Sequence, residues 1–178
     1  MDTSVLNTPK STSLLQPTKY QVMFDKIPNV IYFCKLVKFP GVMLPEVSQP
    51  TPFINRNMPG NKLEYEPLVL EFIVDEGLTG WTEIHNWMKS LGIRESYEDY
   101  KGLNKSNKVS FTAPFPQYGQ CTLYILSTQN NPKVQVDFID CFPVLLSSFT
   151  FDSSNEKEDT ITASATFKFF YYNIKRLD

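Results

Sequence analysis

The chain has 178 residues, 42% of them hydrophobic, which is enough for one domain with a real core and excludes a wholly disordered state. Seventeen Lys and Arg against nineteen Asp and Glu leave a net charge of −2, which speaks against a dedicated nucleic-acid binder with its basic surplus. His85 is the only histidine, so any site that needs two is excluded. Cys34, Cys121 and Cys141 are far apart and form no C-x-x-C pair, so free thiols are expected rather than a disulfide framework or zinc site. The longest apolar run, Leu68 to Val74, is interrupted by Glu71 and too short to cross a bilayer. Met1-Asp2-Thr3-Ser4 shows no export signal.

Ten of the first eighteen residues are Ser, Thr, Asn or Pro, and residues 1–18 read as a flexible arm ahead of a body at 19–178. Tyr20, Val22 and Phe24 alternate with polar neighbours and predict a strand. Val30 to Phe39 predicts a second, closed by the turn pair Pro40-Gly41. Five prolines fall between residues 40 and 61, a spacing that few central strands tolerate, so a long extended excursion is expected there. Leu63 to Asp75 resumes the strand pattern, with Leu68, Leu70, Phe72 and Val74 on one face.

A single helix is predicted, from the apolar stripe Trp81, Ile84, Met88 and Leu91, with Thr79 as its cap, Glu83 in its first turn and Gly92 at its end. Residues 94–120 read as mostly loop. Cys121–Ser127 and Val134–Phe142 predict strands joined by the turn Thr128-Gln129-Asn130-Asn131-Pro132. A further strand is expected at Leu145–Phe151, then an acidic loop at Asp152–Asp159 and a long last strand from Ile161 to Tyr171. The sum is a mainly β fold, an antiparallel sandwich or barrel of about seven strands with one flanking helix.

Chemistry is sparse. His85 sits beside the helix stripe with no partner in view, and a structural role outweighs a catalytic one. Asp152, Ser154, Glu156 and Glu158 fall at alternate positions like a calcium loop but depart from it at Lys157 and Ala163. Asp75 and Glu76 point apart on an extended chain, whereas Glu64 and Glu66 share a strand face. Phe169 to Tyr172 followed by Lys175-Arg176 could stack nucleic-acid bases, but packing within a strand explains them better. No Gly-rich phosphate loop, GxSxG or HExxH occurs, so neither an enzyme nor a cofactor is expected.

Four stretches resemble one family. Val37-Lys38-Phe39-Pro40-Gly41-Val42-Met43-Leu44-Pro45 and Pro59-Gly60-Asn61-Lys62-Leu63-Glu64-Tyr65-Glu66-Pro67-Leu68 are the first two. Val74-Asp75-Glu76 leading into Trp81–Met88 is the third, and Asp140-Cys141-Phe142-Pro143 with the closing Thr166–Tyr172 strand is the fourth. In this order they are similar to the tail tube proteins of contractile-tailed bacteriophages. The resemblance implies a β-sandwich with one helix, assembled into six-fold rings that stack into the tube through which the phage genome passes. Tube initiators, terminators and type VI secretion tube proteins share that fold, and the Trp-rich helix and Pro-Gly entry favour an initiator. It further implies assembly in the host cytoplasm, residence in the virion tail, and sheath and baseplate as partners. The N-terminal arm is then a contact to sheath or baseplate, and DNA passes the lumen without specific contact. The candidate interface is Pro40, Gly41, Val42, Pro59, Gly60, Lys62, Glu64 and Glu66. The rival from another class is a monomeric β-sandwich module that binds carbohydrate or protein. A β-rich hydrolase using His85 or Asp75 ranks third.

Overall fold

The computed structural model describes residues 14–92, 118–152 and 160–177. In chain order the elements are β1 (Tyr20–Phe24), α1 (Pro28–Tyr32), β2 (Cys34–Lys38), β3 (Val42–Met43), β4 (Glu46–Pro50), β5 (Asn55–Pro59) and β6 (Glu64–Tyr65). They continue with β7 (Leu68–Ile73), α2 (Thr79–Leu91), β8 (Gly119–Leu126), β9 (Pro132–Leu146), β10 (Thr162–Lys168) and β11 (Tyr171–Arg176). The main sheet runs β1-β8-β9-β10-β7-β2, with β11 also on β9, and every pairing in it is antiparallel.

β9 belongs to two layers. Its first part pairs with β8 and β11, and its last residues, Phe142 to Leu146, pair with β10. Between them Asp140 adopts the left-handed conformation at φ 54°, where the ladder to β8 also shifts register. A positive φ beside a register shift turns a strand, so the change of layer is made there. Pro143 sits opposite Phe167 and Val144 is the extra residue of a second irregularity, which is how a proline is tolerated inside this long strand.

The core follows period 2 along each strand. Val22 and Phe24, Leu68, Leu70 and Phe72, Cys121 and Leu123, Val136 and Phe138, and Ala163, Ala165 and Phe167 are all buried. Ile84 and Trp87 of α2 close it from outside. Trp87 stands 6.5 Å from Phe24 and 6.0 Å from Phe167 between ring centroids. It lies so close to β8 that a Cβ on Gly119 would be 2.9 Å from its ring, so that position accepts hydrogen alone.

The structure corrects several expectations. Val30 to Phe39 is not one strand: Pro28 opens the short helix α1, and only Cys34–Lys38 is extended. There are therefore two helices among the described residues. Proline's fixed φ suits the first helical turn, and Val30 anchors that turn against Gly80 of α2. Glu83 does not serve its own helix; it accepts from the Asn29 backbone at 3.3 Å and the Asn29 amide at 2.6 Å, at the start of α1. Thr79 is not the cap of α2. Leu78 precedes the helix in the left-handed conformation, and Asp75 reaches forward to accept from the Thr79 and Gly80 backbone N–H groups at 3.1 and 3.3 Å.

The Leu63–Asp75 strand breaks into β6 and β7 around Pro67, which has no N–H to give a ladder. Of Leu145–Phe151, only Leu145 and Leu146 are in a strand. The last strand divides at Phe169-Phe170 into β10 and β11, and β11 runs on to Arg176. The predicted turn after β8 is present: Asn130 takes φ 63° and the Ser127 hydroxyl accepts from the Gln129 and Asn131 N–H groups. Most of the predicted arm, nearly all of the 94–120 loop and most of the acidic loop lie outside the described residues.

Candidate assembly interface

The excursion between Pro40 and Pro67 is built as a foot and a hairpin. At the foot, β3 and β6 form a two-stranded ladder pairing Val42 with Tyr65 and Met43 with Glu64. The Glu66 N–H donates to the Gly41 carbonyl at 2.9 Å, and the Gly41 N–H donates back to the Glu66 carboxylate at 3.4 Å. Above it β4 and β5 pair in register from Glu46 with Pro59 to Pro50 with Asn55. The Gly60 N–H closes the base of this hairpin on the Pro45 carbonyl at 2.7 Å. At the tip, Thr51 and Ile54 hydrogen-bond one another through backbone and side chain.

Aromatic rings fasten the foot to the sheet. Tyr65 lies 5.7 Å from Phe169 and 5.3 Å from Tyr172, and Phe39 lies 5.5 Å from Tyr172 and 6.3 Å from Phe138. This cluster absorbs half of the Phe169–Tyr172 run: Phe169 and Tyr172 are partly buried in it, while Phe170 and Tyr171 remain exposed. The packing reading of that run holds for the first pair.

Every residue of β4 and β5 is exposed, and the hairpin pairs with no other strand among the described residues. A two-stranded ribbon alone in water is at best marginally stable. It nonetheless carries Val47, Met58, Phe53 and Ile54, the last two 95% and 72% exposed at the tip. Val42, Met43, Leu44 and Leu63 add exposed apolar surface at the foot. Apolar surface left uncovered on one protrusion in this way is the kind of surface that contacts between molecules are built from.

The eight residues singled out in the sequence all fall on this excursion. Pro40 is buried beneath it, Gly41 and Glu66 lock its foot, Gly60 follows Pro59 at the hairpin base, and Val42, Lys62 and Glu64 are exposed. The apolar hairpin residues Val47, Phe53, Ile54 and Met58 were not among them. The signal available was four large apolar side chains in a proline-bounded stretch with no periodicity to bury them.

Elsewhere several of the described titratable groups have structural partners. His85 stacks on Trp81 with ring centroids 5.0 Å apart and planes 18° apart. On the outer face of the sheet, Asp137 takes hydrogen bonds from Gln135, Lys175 and Thr122 at 2.7, 2.9 and 3.1 Å. Partial burial pushes its carboxyl up, but these donors outweigh that and hold it below the usual range. Asp75 is also held low, by the Thr79 hydroxyl first and then the N–H groups it caps. The three cysteines are free, and burial pushes each thiol up. Among the described residues no helix is long and apolar enough to cross a membrane.

Comparison with known proteins agrees with this architecture. The tail tube terminator protein of Enterobacteria phage T4 is 28% identical over 144 residues, which are 79% of this chain and 75% of that protein. The tube-terminating cap of the anti-feeding prophage superposes with a TM-score of 0.66 at 11% identity, over 98% of this chain and 99% of that one. A chain of the PVC sheath–tube complex of an extracellular contractile injection system, in its extended state, gives 0.62 at 16% identity, over 92% and 93%. These two structural likenesses establish the fold. The phage tail tube protein family matches residues 6–175, and with so much of its length in that match this chain belongs to the phage tail tube proteins.

Proposed function

We propose that this chain is the subunit of a ring that ends a tail tube. The observation that carries the ring is the hairpin: an unsupported ribbon bearing exposed Val47, Phe53, Ile54 and Met58 needs a neighbour to cover it. In a ring that neighbour is the next copy, since a protrusion received by a different surface of an identical partner makes a heterologous contact that closes on itself. Pro40, Gly41, Val42, Pro59, Gly60, Lys62, Glu64 and Glu66 frame that contact. Residues 19–178 form the ring body and residues 1–18 an arm.

Likeness to the T4 tube terminator supports a place at the end of the tube, and favours that end over the initiator expected from the Trp-rich helix. The partners are then further copies, the last ring of the tube and the sheath beside it. A near-neutral protein with a net charge of −2 suits a conduit that lets DNA pass without gripping its phosphates. In the phage tail the role is structural; assembly precedes it in the host cytoplasm.

Titration of the purified protein into polymerising tube subunits tests the reading, with lengths read by electron microscopy. A terminator shortens the tubes as its ratio rises and forms rings that do not stack on their own. A main tube subunit grows tubes unaided. A protein that stays monomeric at every concentration and leaves tube length unchanged is a binding module, and the proposal fails.

A further inference from the structure

The hairpin has two unlike faces. In the β4–β5 ladder Val47 stands opposite Met58 and Gln49 opposite Arg56, and residues directly opposite, or two apart along a strand, share a face. One face therefore carries Val47, Met58, Gln49 and Arg56, and the other Ser48, Asn57, Pro50 and Asn55. Beside the first lies a hollow of about 670 Å³ lined by Val47, Arg56, Met58 and the Pro59-Gly60-Asn61 turn. It is an apolar surface with one cation set in it.

A surface of matching character lies on the outer side of β2, β7, β10 and the end of β9. Leu68, Leu70 and Phe72 turn into the core, so Val69, Glu71 and Ile73 turn outward. By register Leu36 stands beside Glu71, Thr166 beside Val69, and Leu145 beside Thr166. Glu71 is thus flanked by Leu36, Val69 and Ile73, and Leu36 and Leu145 are exposed. The helices pack on each other, on β1 and on β9. Neither the Glu71 carboxylate nor the Arg56 guanidinium has an ionic partner among the described residues. Lys38, beside Val69 on the same face, is not within ion-pair distance of Glu71.

We propose that the outer face of β2, β7 and β10 seats the hairpin of a neighbouring copy, with Val47 and Met58 on its aliphatic residues and Arg56 on Glu71. The inference rests on the ring reading above and names the surface that receives the hairpin. Spacing supports it. Arg56 is two residues from Met58 along one strand, as Glu71 is from Val69 and Ile73, so both separations are about 6.8 Å. Size agrees as well: a ribbon of five-residue strands is about 17 Å long and two strands wide, and it fits within a face four strands broad. Either charge covered alone would be costly to bury, whereas the pair satisfies both. The outer face of the other layer offers no such partner, because Asp137 at its middle is already taken by Gln135, Lys175 and Thr122. Hairpin and seat are different surfaces of one chain, so the contact is heterologous, as a closed ring requires.

Charge reversal in the full-length chain tests the pairing, with the half-assembly concentration read by mass photometry. Arg56→Glu and Glu71→Arg should each raise it about tenfold or more, and the two together should return it to within about threefold of the unaltered chain. A single reversal that leaves assembly unchanged, or a double variant no better than the singles, overturns the seat. If Glu71→Arg does not fold, Arg56→Gln and Glu71→Gln serve the same cycle. Their combined effect should fall short of the product of the two, and a full product refutes the pairing. Cross-linking reads the geometry separately. Leu36→Cys with Met58→Cys, in a Cys34→Ser background, is assembled, oxidised and run without reductant; Cys121 and Cys141 are buried. Covalent dimers and higher multiples are the expected result. In an assembled sample, a cross-linked monomer means that the hairpin lies on its own sheet, and no cross-link means that it seats elsewhere. Both refute this contact and leave the ring standing. Failure of the unaltered chain to assemble at any concentration removes the ring and the seat together.

Discussion

Gly60 offers a sharp test of how the hairpin is held. A Cβ built there would stand 2.4 Å from the Pro45 carbonyl oxygen, a backbone atom that cannot rotate away. Ordinary contact begins at 3.4 Å, so in Gly60→Ala the two strands must separate by about 1 Å. The hydrogen bond from the Gly60 N–H to the same carbonyl, now 2.7 Å, would lengthen past the range of a real one. Its loss costs about 0.5–1.5 kcal/mol and the crowding about 1–3 kcal/mol more. With tenfold per 1.4 kcal/mol, roughly 1.5–4.5 kcal/mol shifts the local equilibrium by about 10- to 1,600-fold toward the open hairpin. Because β4 and β5 pair with no other strand among the described residues, the core should not register it. Global stability should then change by no more than about 0.5 kcal/mol, or about 2 °C in Tm. Hydrogen exchange followed by mass spectrometry on peptides covering residues 45–60 measures the first effect and calorimetry the second. Unchanged hairpin protection in Gly60→Ala would refute the close-approach argument, and a Tm loss well above 2 °C would refute the independence of hairpin and core.

Three further outcomes are expected. Phe138, fully buried and in ring contact with Phe39, Phe169 and Tyr172, should lose about 3–5 kcal/mol on Phe138→Ala, seen as a lower denaturation midpoint at unchanged m-value. At the layer change in β9, Asp140→Gly should be tolerated within about 0.5 kcal/mol, whereas Asp140→Val, a β-branched residue at φ 54°, should cost roughly 1–2 kcal/mol by chemical denaturation. The carboxyls of Asp75 and Asp137 are depressed in the folded state, so their stabilisation is present above the unfolded carboxylate value and lost as pH falls through the folded one. Unfolding midpoints of Asp75→Asn combined with Asp137→Asn should therefore vary less below about pH 4 than those of the unaltered chain; parallel curves would mean that neither carboxyl contributes.

Much of the fold could be read from alternation, because half-buried antiparallel strands write their inside face at every second residue. Leu68, Leu70 and Phe72, or Ala163, Ala165 and Phe167, are such cases. What escaped was decided over a distance. The β-branched pair Val30-Ile31 looks like strand, but Pro28 and the seat offered by Gly80 make it helix. Thr79 has a good capping side chain, yet Asp75 takes the role once Leu78 reverses the chain. Pro143 looked like an end, and a bulge at Val144 let the strand pass. At the interface the prolines and glycines that shape the excursion were legible because turns need particular residues. Exposure of Phe53 and Ile54 was not, since nothing local distinguishes an apolar side chain awaiting a partner from one in a core.

The two-layer membership of β9 decides how force travels through the molecule. In a sandwich whose sheets touch only through side chains, one sheet can slide over the other and unload gradually. Here a single covalent strand, Pro132–Leu146, carries ladder bonds to β8 and β11 at one end and to β10 at the other. A pull on either layer loads the bend at Asp140 and puts the ladders of both under tension together. Such a body yields all at once or not at all, because neither layer can unload without the other.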